Sequence, residues 1–254
     1  MATGYRNDIG IIPGLDTANA AYTITTLEDA IHAGEGWQRF LADPGPIVVG
    51  ATQGAGCFGA AYEFLFNLSY QLKKAGLRRR AAITYVTAEP FLGHFGIGGL
   101  PGGERLLGLF CKKEGIHTVT NTAMSELGPH KLLLADGRAL DFAYVMIIPP
   151  FLGQGVVRST PGLTDDKGYV PVHDTYQSTA DPNIYAVGIA AAVSVPWTTA
   201  VPVGVPKTGF PTEHQAHVAA TNIAAQIRGE DPTAHKRFAT SPRCASWTPA
   251  TTAS

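Results

Sequence analysis

The stretch VVGATQGAGCFGAAYE, residues 48–63, places an apolar run, a glycine-rich turn and the start of a helix directly after one another. The apolar run begins at Ile47 and predicts a buried strand. A helical pattern continues from Tyr62 to Gln71 and ends in basic residues and a glycine. Strand, glycine turn and helix in this order are typical of the front half of a nucleotide-binding βαβ unit.

One cysteine, Cys57, lies inside this turn. Such a turn normally cradles phosphates, and a thiol adds nothing to that task. Because Cys57 sits near a predicted helix N-terminus, the backbone N–H groups and the helix dipole favour its thiolate. Redox chemistry is one interpretation, and a buried structural cysteine is the other.

Composition narrows the class of protein. A chain of 254 residues can hold one large domain or two small ones, and 29 Gly and 18 Pro indicate a loop-rich α/β protein. The net charge of −1 gives no indication of nucleic-acid binding. No apolar run approaches the ~20 residues that cross a bilayer, and the first residues lack the apolar core of a signal peptide. We therefore expect the chain as given to be soluble.

The remaining cysteines and histidines give no metal-site pattern. Cys57, Cys111 and Cys244 are an odd number at wide spacings, which argues against a zinc site and against a secreted disulfide framework. Cys111 follows an apolar helical pattern and is expected in the core. His214 and His217 share a helix face, but no convincing third ligand joins them, so no metal is predicted.

Other elements follow from periodicity and turn residues. Asp136-Gly137 predicts a hairpin. The predicted helices and strands are, in chain order, a helix at 27–41, a strand at 81–87, a helix at 103–114, short strands around 117–122, a strand at 141–150 and a helix at 209–229.

The chain carries five sequence blocks that occur together in one protein family. They are DPGPIVVG (43–50), GAGCFGAAYEF (54–64), TAEPFLGHFGI (87–97), NIYAVGIA (183–190) and TTAVPVGVPKTG (198–209). In this order they resemble the sulfide:quinone oxidoreductases, flavoproteins of the two-dinucleotide-binding-domain superfamily. One glycine turn would be a weak signal, whereas five blocks in register are specific and span most of the chain.

The resemblance implies an α/β, Rossmann-like FAD/NAD(P)-binding fold with three layers, a central NAD-like domain and part of an FAD domain. It also implies a last strand at Asn183–Gly188 that brings a helix N-terminus to the flavin. The implied domains are 1–42 (end of a flavin segment and linker helix), 43–150 (central Rossmann domain), 151–229 (C-terminal part of the FAD domain) and 230–254 (loose tail).

Compared with the family, both ends differ. The family begins with a G-x-G-x-x-G fingerprint for the ADP half of FAD, which is absent here, and Thr3-Gly4 looks like the end of the first flavin segment. The family's C-terminal part, which completes the quinone pocket and the membrane anchor, has no counterpart before Ser254. The expectation is a chain truncated at both ends.

The resemblance assigns the sulfur chemistry to Cys57, as a thiolate that takes up sulfide-derived sulfur and passes electrons to the flavin. An earlier family cysteine, followed four residues later by histidine, falls on Thr25 and Asp29 here. Threonine cannot form a disulfide, so that cysteine is either dispensable or lost. Cys244 is predicted as the second redox thiol, with an exposed tail cysteine as the alternative.

Three further side chains match family positions. His94 is predicted to relay protons or to brace its loop, and Glu63 to hold a proton near the sulfur site or to be a partly buried helix acid. Lys207 would stabilise a reduced, anionic flavin. The residues predicted to bind FAD are Thr3, Gly4, Gly54, Gly56, Gly188, Ile189, Lys207, Thr208 and Gly209.

Three functions stay open at this point. The first is flavin-dependent oxidation of sulfide to sulfur or polysulfide, with electrons passed to a quinone. The second is an NAD(P)H-dependent flavoprotein reductase, which Glu89 leaves open because an acid ending the second strand often binds the NAD ribose. Cys57 in the turn and Ile189 after Gly188, where the superfamily has Gly-Asp, argue against it. The third is a non-catalytic fold that binds a partner.

The partners implied by the resemblance are sulfide and a quinone, at a peripheral membrane surface. No membrane anchor is predicted in this chain. Assembly of the chain into a homo-oligomer is left open.

Overall fold

The structure is a computed structural model that describes residues 1–16, 21–193, 195 and 197–236. The described residues divide into two compact units, a larger one within 5–152 and 197–206 and a smaller one within 1–4, 153–195 and 207–236. The described residues of 5–42 belong to the larger unit, and the sequence assigned 1–42 to the end of a flavin segment and a linker helix. The domain assignment by function stays a prediction.

The larger unit alternates strands and helices. In chain order it contains β1 (Tyr5–Asn7), a 3₁₀ turn (Ile9–Ile11), α1 (Leu27–Ala42), β2 (Ile47–Ala51), α2 (Phe58–Lys74), β3 (Ile83–Thr87), α3 (Gly103–Glu114), β4 (Ile116–Val119), β5 (Met124–Leu127), β6 (Lys131–Leu134), β7 (Ala139–Asp141), β8 (Tyr144–Ile148) and β9 (Phe151–Gly153).

Helix ends lie where the sequence has capping residues. Thr26 precedes α1, and its side chain accepts a hydrogen bond from the backbone N–H of Asp29. Gly115 ends α3 with φ +65°, a left-handed conformation that glycine adopts without strain. The predicted helix at 103–114 is confirmed at both ends.

The central sheet is parallel, in the order β4-β3-β2-β8. Ile47 of β2 lies opposite Ile83 of β3 on one side and opposite Tyr144 of β8 on the other. In order of appearance the four strands are arranged 3-2-1-4, as in half of a doubly wound nucleotide-binding fold. All residues of β2 are buried because both faces of the sheet are covered.

The two faces of the sheet pack against different layers. Val49 and Tyr85 face a core shared with α1, α2 and α3, and Val48 and Val86 face a core shared with the antiparallel hairpins β5-β6-β7. The predicted three-layer Rossmann-like fold is therefore confirmed, with a β-meander as one outer layer. The hairpin predicted at Asp136-Gly137 joins β6 to β7.

The smaller unit contains a short helix, a two-stranded parallel pair and one long helix. These are α4 (Gly155–Arg158), β10 (Val170–Pro171), a 3₁₀ turn (Gly188–Ala190), β11 (Ala191–Ala192) and α5 (Gly209–Ile227). The prediction of a closing helix from Gly209 is confirmed.

The strand predicted at Asn183–Gly188 is wrong. A turn at Asp181 occupies its beginning, since the Asp181 carboxylate accepts the Asn183 N–H at 2.8 Å. Only Tyr185 forms an isolated bridge, with Gln177, and Gly188 has φ +61°, outside the extended range of a strand.

In the described part of the chain no helix is both long enough and apolar enough to cross a membrane.

Candidate functional site

Cys57 lies at the N-terminal end of α2, as predicted, and its side chain is half-buried. Burial raises the pKa of the Cys57 thiol above its ordinary value, and the backbone N–H of Ala60 opposes this only in part. The thiol makes no capping hydrogen bond to the helix within normal geometry. Burial and the helix N-terminus thus act on this thiol in opposite directions, and its thiolate state stays a prediction.

A segment far along the sequence closes the turn that carries Cys57. We call residues 197–206 the strap. The Gly54 N–H donates to the Pro202 carbonyl at 2.7 Å, and the Gly204 N–H donates to the Ala55 carbonyl at 2.8 Å. A Cβ on Gly56 would lie 2.6 Å from the Val205 carbonyl oxygen. Gly54 and Gly56, predicted to bind the cofactor, thus pack against the chain itself.

Glu89 lies two residues after the end of β3 and is fully buried. Its Oε2 accepts from the Tyr62 hydroxyl at 2.9 Å and from the Thr87 hydroxyl at 3.0 Å, and its Oε1 accepts from the Phe95 N–H at 2.8 Å. Burial raises the pKa of this carboxyl, and the hydrogen bonds offset the effect in part. Sequence reasoning identified Glu89 as a possible ribose ligand, but not the partners that occupy its carboxylate.

His94 is buried in the loop after β3, with 4% of its surface exposed. Its Nδ1 accepts the Gly96 N–H at 3.2 Å, and its ring lies 5.3 Å from the Phe91 ring and 6.3 Å from the Trp197 ring. Burial lowers the pKa of this imidazole, which favours the neutral form. The contacts are those of a loop-bracing residue, and a proton-relay role stays a prediction.

Thr25 and Asp29, which stand where the family has cysteine and histidine, belong to a polar cluster. The Thr25 hydroxyl lies 2.8 Å from Asn7 Oδ1 and 3.1 Å from Asp29 Oδ2, and Asn7 Nδ2 donates to Asp29 Oδ2 at 3.2 Å. The Tyr5 hydroxyl donates to the Thr25 carbonyl. Burial raises the pKa of Tyr5, and the charges of Cys57 and Asp29 add to the effect. Sequence reasoning missed Tyr5 and Asn7, since no pattern marks short β1 as part of the site.

Two further predicted catalytic residues are Glu63 and Cys244. Glu63 is exposed on α2, so the alternative of a partly buried acid is wrong. Cys244 lies outside the described residues. Cys111 is 2% exposed inside α3, which confirms the core assignment.

Lys207 of the smaller unit is unusually placed for a cation. Its Nζ lies 3.5 Å from the centre of the Tyr169 ring and donates to the Ala191 carbonyl. Burial lowers the pKa of Lys207 to about 8. Thr208 and Gly209 follow at the exposed start of α5, where the Thr208 side chain forms no cap. An uncapped helix N-terminus beside a lysine is suited to an anion such as a phosphate.

The other predicted cofactor residues of the smaller unit have mainly structural contacts. The Gly188 N–H donates to the Gln215 side-chain oxygen at 2.6 Å, which fastens the 3₁₀ turn to α5. Ile189 is half-buried in that turn, Thr3 is exposed, and Gly4 has φ +76°. Their role in flavin binding stays a prediction.

The low pKa of Lys207 gives an expected pH dependence of stability. The folded-state value of about 8 lies below the ordinary 10.5, so between these values the unfolded chain binds more protons and stability rises with pH. The difference in free energy of unfolding between wild type and Lys207→Met should therefore shift in favour of wild type from pH 7 to pH 10. Denaturant unfolding at several pH values measures it. Lys113→Met, at an exposed position of α3, should show no such change.

Comparisons with known proteins first define the class. Flavoprotein reductases share the fold at low identity, among them a ferredoxin reductase from Rhodopseudomonas palustris (18% identical, TM-score 0.61) and an NAD-dependent persulfide reductase from A. fulgidus (19%, TM-score 0.59). No family model matches the chain. The fold is that of the Rossmann-type flavoprotein reductases.

Two comparisons define the relationship more closely. The chain is 35% identical to the sulfide:quinone oxidoreductase structure from Aquifex aeolicus, with a TM-score of 0.84 over 90% of this chain and 54% of that one. It is also 36% identical over 212 residues to the curated sulfide-quinone reductase of A. aeolicus strain VF5, which is 81% of this chain and 49% of that protein. The chain is a homologue of the sulfide:quinone oxidoreductases and spans about half the length of these relatives.

Proposed function

We propose that the chain is the sulfur-accepting part of a flavin-dependent sulfide:quinone oxidoreductase, with Cys57 as the sulfur acceptor. The observation that carries the proposal is the position of Cys57. It lies at the junction of β2 and α2, in a chain 35% identical to an enzyme of that name. A thiol there lies in the turn that a nucleotide-binding fold uses for phosphates, which favours sulfur chemistry over dinucleotide binding.

The proposed reaction at Cys57 joins the sulfur of hydrosulfide to the cysteine. The thiol and HS⁻ give a Cys57 persulfide, two electrons and one proton, so the step needs a two-electron acceptor. FAD, when bound, would supply that acceptor, and a quinone would take the two electrons on from it. Because burial raises the pKa of Cys57, the thiol must lose its proton at the site before the S–S bond forms.

FAD is the proposed cofactor, and the smaller unit offers donors that fit its phosphates. These are the exposed N–H groups at the start of α5 and the ammonium group of Lys207. The turn of Gly54 and Gly56 does not fit a phosphate, since the strap occupies it. We assign the anion-binding role to Lys207, Thr208 and Gly209.

We propose sulfide, a quinone and a membrane surface as partners because the chain is similar to the sulfide:quinone oxidoreductases. A quinone that accepts the electrons is lipid-soluble, so a peripheral membrane location is part of the proposal. The proposal also includes assembly of the chain into a homo-oligomer.

Absorption spectroscopy tests the proposed function. The purified chain is mixed with FAD, then with sulfide, and finally with a soluble quinone. A flavin spectrum that bleaches with sulfide and returns with quinone supports the proposal. Bleaching by NADH instead of sulfide would support the alternative NAD(P)H-dependent reductase. Bound flavin that neither donor bleaches would support the non-catalytic alternative.

Lys207→Met should weaken FAD binding about tenfold, because one buried charge partner for an anion is lost. Quenching of flavin fluorescence during titration with the protein gives the dissociation constant. Lys167→Met removes a neighbouring but exposed cation and should leave the constant within about twofold. Equal affinities for the two variants would contradict the role of Lys207.

A further inference from the structure

The carboxyl ends of β2 and β3 form the edge where a doubly wound sheet receives its ligand. In this chain two glycine-rich loops leave that edge, one after each strand. The strap lies against both of them. Besides its hydrogen bonds to Gly54 and Ala55, the strap packs closely on Gly96 in the second loop.

The closeness of these backbones leaves no room for a phosphate. A Cβ on Gly204 would lie 2.4 Å from the Gly54 carbonyl oxygen, and a Cβ on Gly96 would lie 2.2 Å from the Gly204 carbonyl oxygen. Gly96 also has φ +71°. Only glycine permits such approach of three backbones, so the contact depends on the sequence at each of these positions.

The ribose end of the same site is also occupied. Glu89 gives its carboxylate oxygens to Tyr62, Thr87 and Phe95, and none of its surface is exposed. Two features hold a dinucleotide in this fold, the N–H groups of the turn and the acid after the second strand. Here the Gly54 N–H of the turn and the Glu89 carboxylate are both bonded within the chain.

We propose that the strap is the specificity determinant of the larger unit: it excludes nicotinamide dinucleotides and clamps the turn that presents Cys57. The exclusion of nicotinamide dinucleotides is inferred only from the contacts of the strap and of Glu89. The clamping of Cys57 rests on the proposed function. In that function a thiol, and not a nicotinamide, supplies electrons at this edge of the sheet. The strap acts through the turn and is therefore a positioning segment.

The test uses Gly204→Ala in the full chain, with Gly108→Ala as control because a Cβ at Gly108 meets nothing within 4 Å. The new methyl group must push the strap away from Gly54 and Ala55. We expect alkylation of Cys57 by iodoacetamide, followed by peptide mass spectrometry, to speed up about tenfold or more. Amide hydrogen exchange at Gly54 should accelerate in parallel. Cys111, in the core, reports global unfolding in the same samples.

A second variant keeps the proposal testable if Gly204→Ala fails to fold. Pro202→Gly adds no atoms and loosens the strap by raising its conformational freedom. It should raise Cys57 alkylation in the same direction, by about threefold or more. Alkylation and exchange at wild-type rates in a folded strap variant would overturn the clamping role.

NADH binding tests the exclusion directly. Titration of wild type with NADH, followed by nicotinamide fluorescence, should show no saturable binding up to millimolar concentration. Saturable micromolar binding to wild type would overturn the exclusion. Neither this titration nor the alkylation uses sulfide or flavin, so their failure is distinguishable from failure of sulfide to bleach the flavin.

Discussion

Cys57→Ser is expected to lower sulfide-dependent flavin reduction by about a thousandfold or more, because a hydroxyl cannot form the proposed persulfide. The free energy of unfolding should change by about 1 kcal/mol at most, since the side chain is half-buried and the change is one atom. Stopped-flow absorption of the flavin after mixing with sulfide measures the rate, and denaturant unfolding measures the stability.

A readout without flavin accompanies this experiment. Incubation with polysulfide, which carries sulfur that is already oxidised, should add one sulfur atom to the Cys57 peptide in mass spectra. Cys111→Ala is the control, because that thiol is buried in α3 and has its pKa raised to about 11 by burial. Unchanged sulfide reduction in a folded Cys57→Ser protein would sink the assignment.

Glu89→Ala should destabilise the protein by about 3 kcal/mol or more. The substitution leaves the Tyr62 hydroxyl, the Thr87 hydroxyl and the Phe95 N–H without their acceptor in the interior, and it opens a cavity. The loop that carries His94 should lose order, because the Phe95 N–H and the Tyr62 hydroxyl both hold it. Urea unfolding at neutral pH measures the loss.

Two variants control for this change. Glu104→Ala removes an exposed carboxylate and should stay within about 0.5 kcal/mol of wild type. Glu89→Gln keeps a carbonyl acceptor, and the neighbouring hydroxyls can rotate to accept from its amide, so its cost should be smaller than that of alanine. A Glu89→Ala protein as stable as wild type would show that the network contributes little.

Local patterns predicted the parts of the fold whose residues carry their own signals. β2, α2 and α3 were predictable because an apolar run, a glycine turn and capping glycines lie within a few residues of one another. The hairpin at Asp136-Gly137 has the same local character. The strand at Asn183–Gly188 was predicted from resemblance alone. Hydrogen bonds from the Asn183 N–H to the Asp181 side chain and from the Ile184 N–H to the Asp181 carbonyl give that stretch another conformation.

The sequence identified the main residues of the site, but it did not predict their burial or their contacts. Cys57, Lys207 and Glu89 were identified in the sequence, yet their pKa directions depend on burial that no local pattern contains. The contact between the strap and Gly54 was not predicted. It consists of backbone hydrogen bonds between distant segments, and such bonds do not require particular side chains in the sequence. Close approach of glycines is the only sequence signal, and it does not name the partner.

The occupied dinucleotide edge has an evolutionary consequence. A descendant could regain cofactor binding there only by moving the strap off the turn and releasing Glu89 from its four donors. Either change alone costs stability and yields half a binding site. Single substitutions would therefore pass through less stable proteins that do not yet bind a dinucleotide. Selection against these intermediates would keep the larger unit in the form that presents a cysteine.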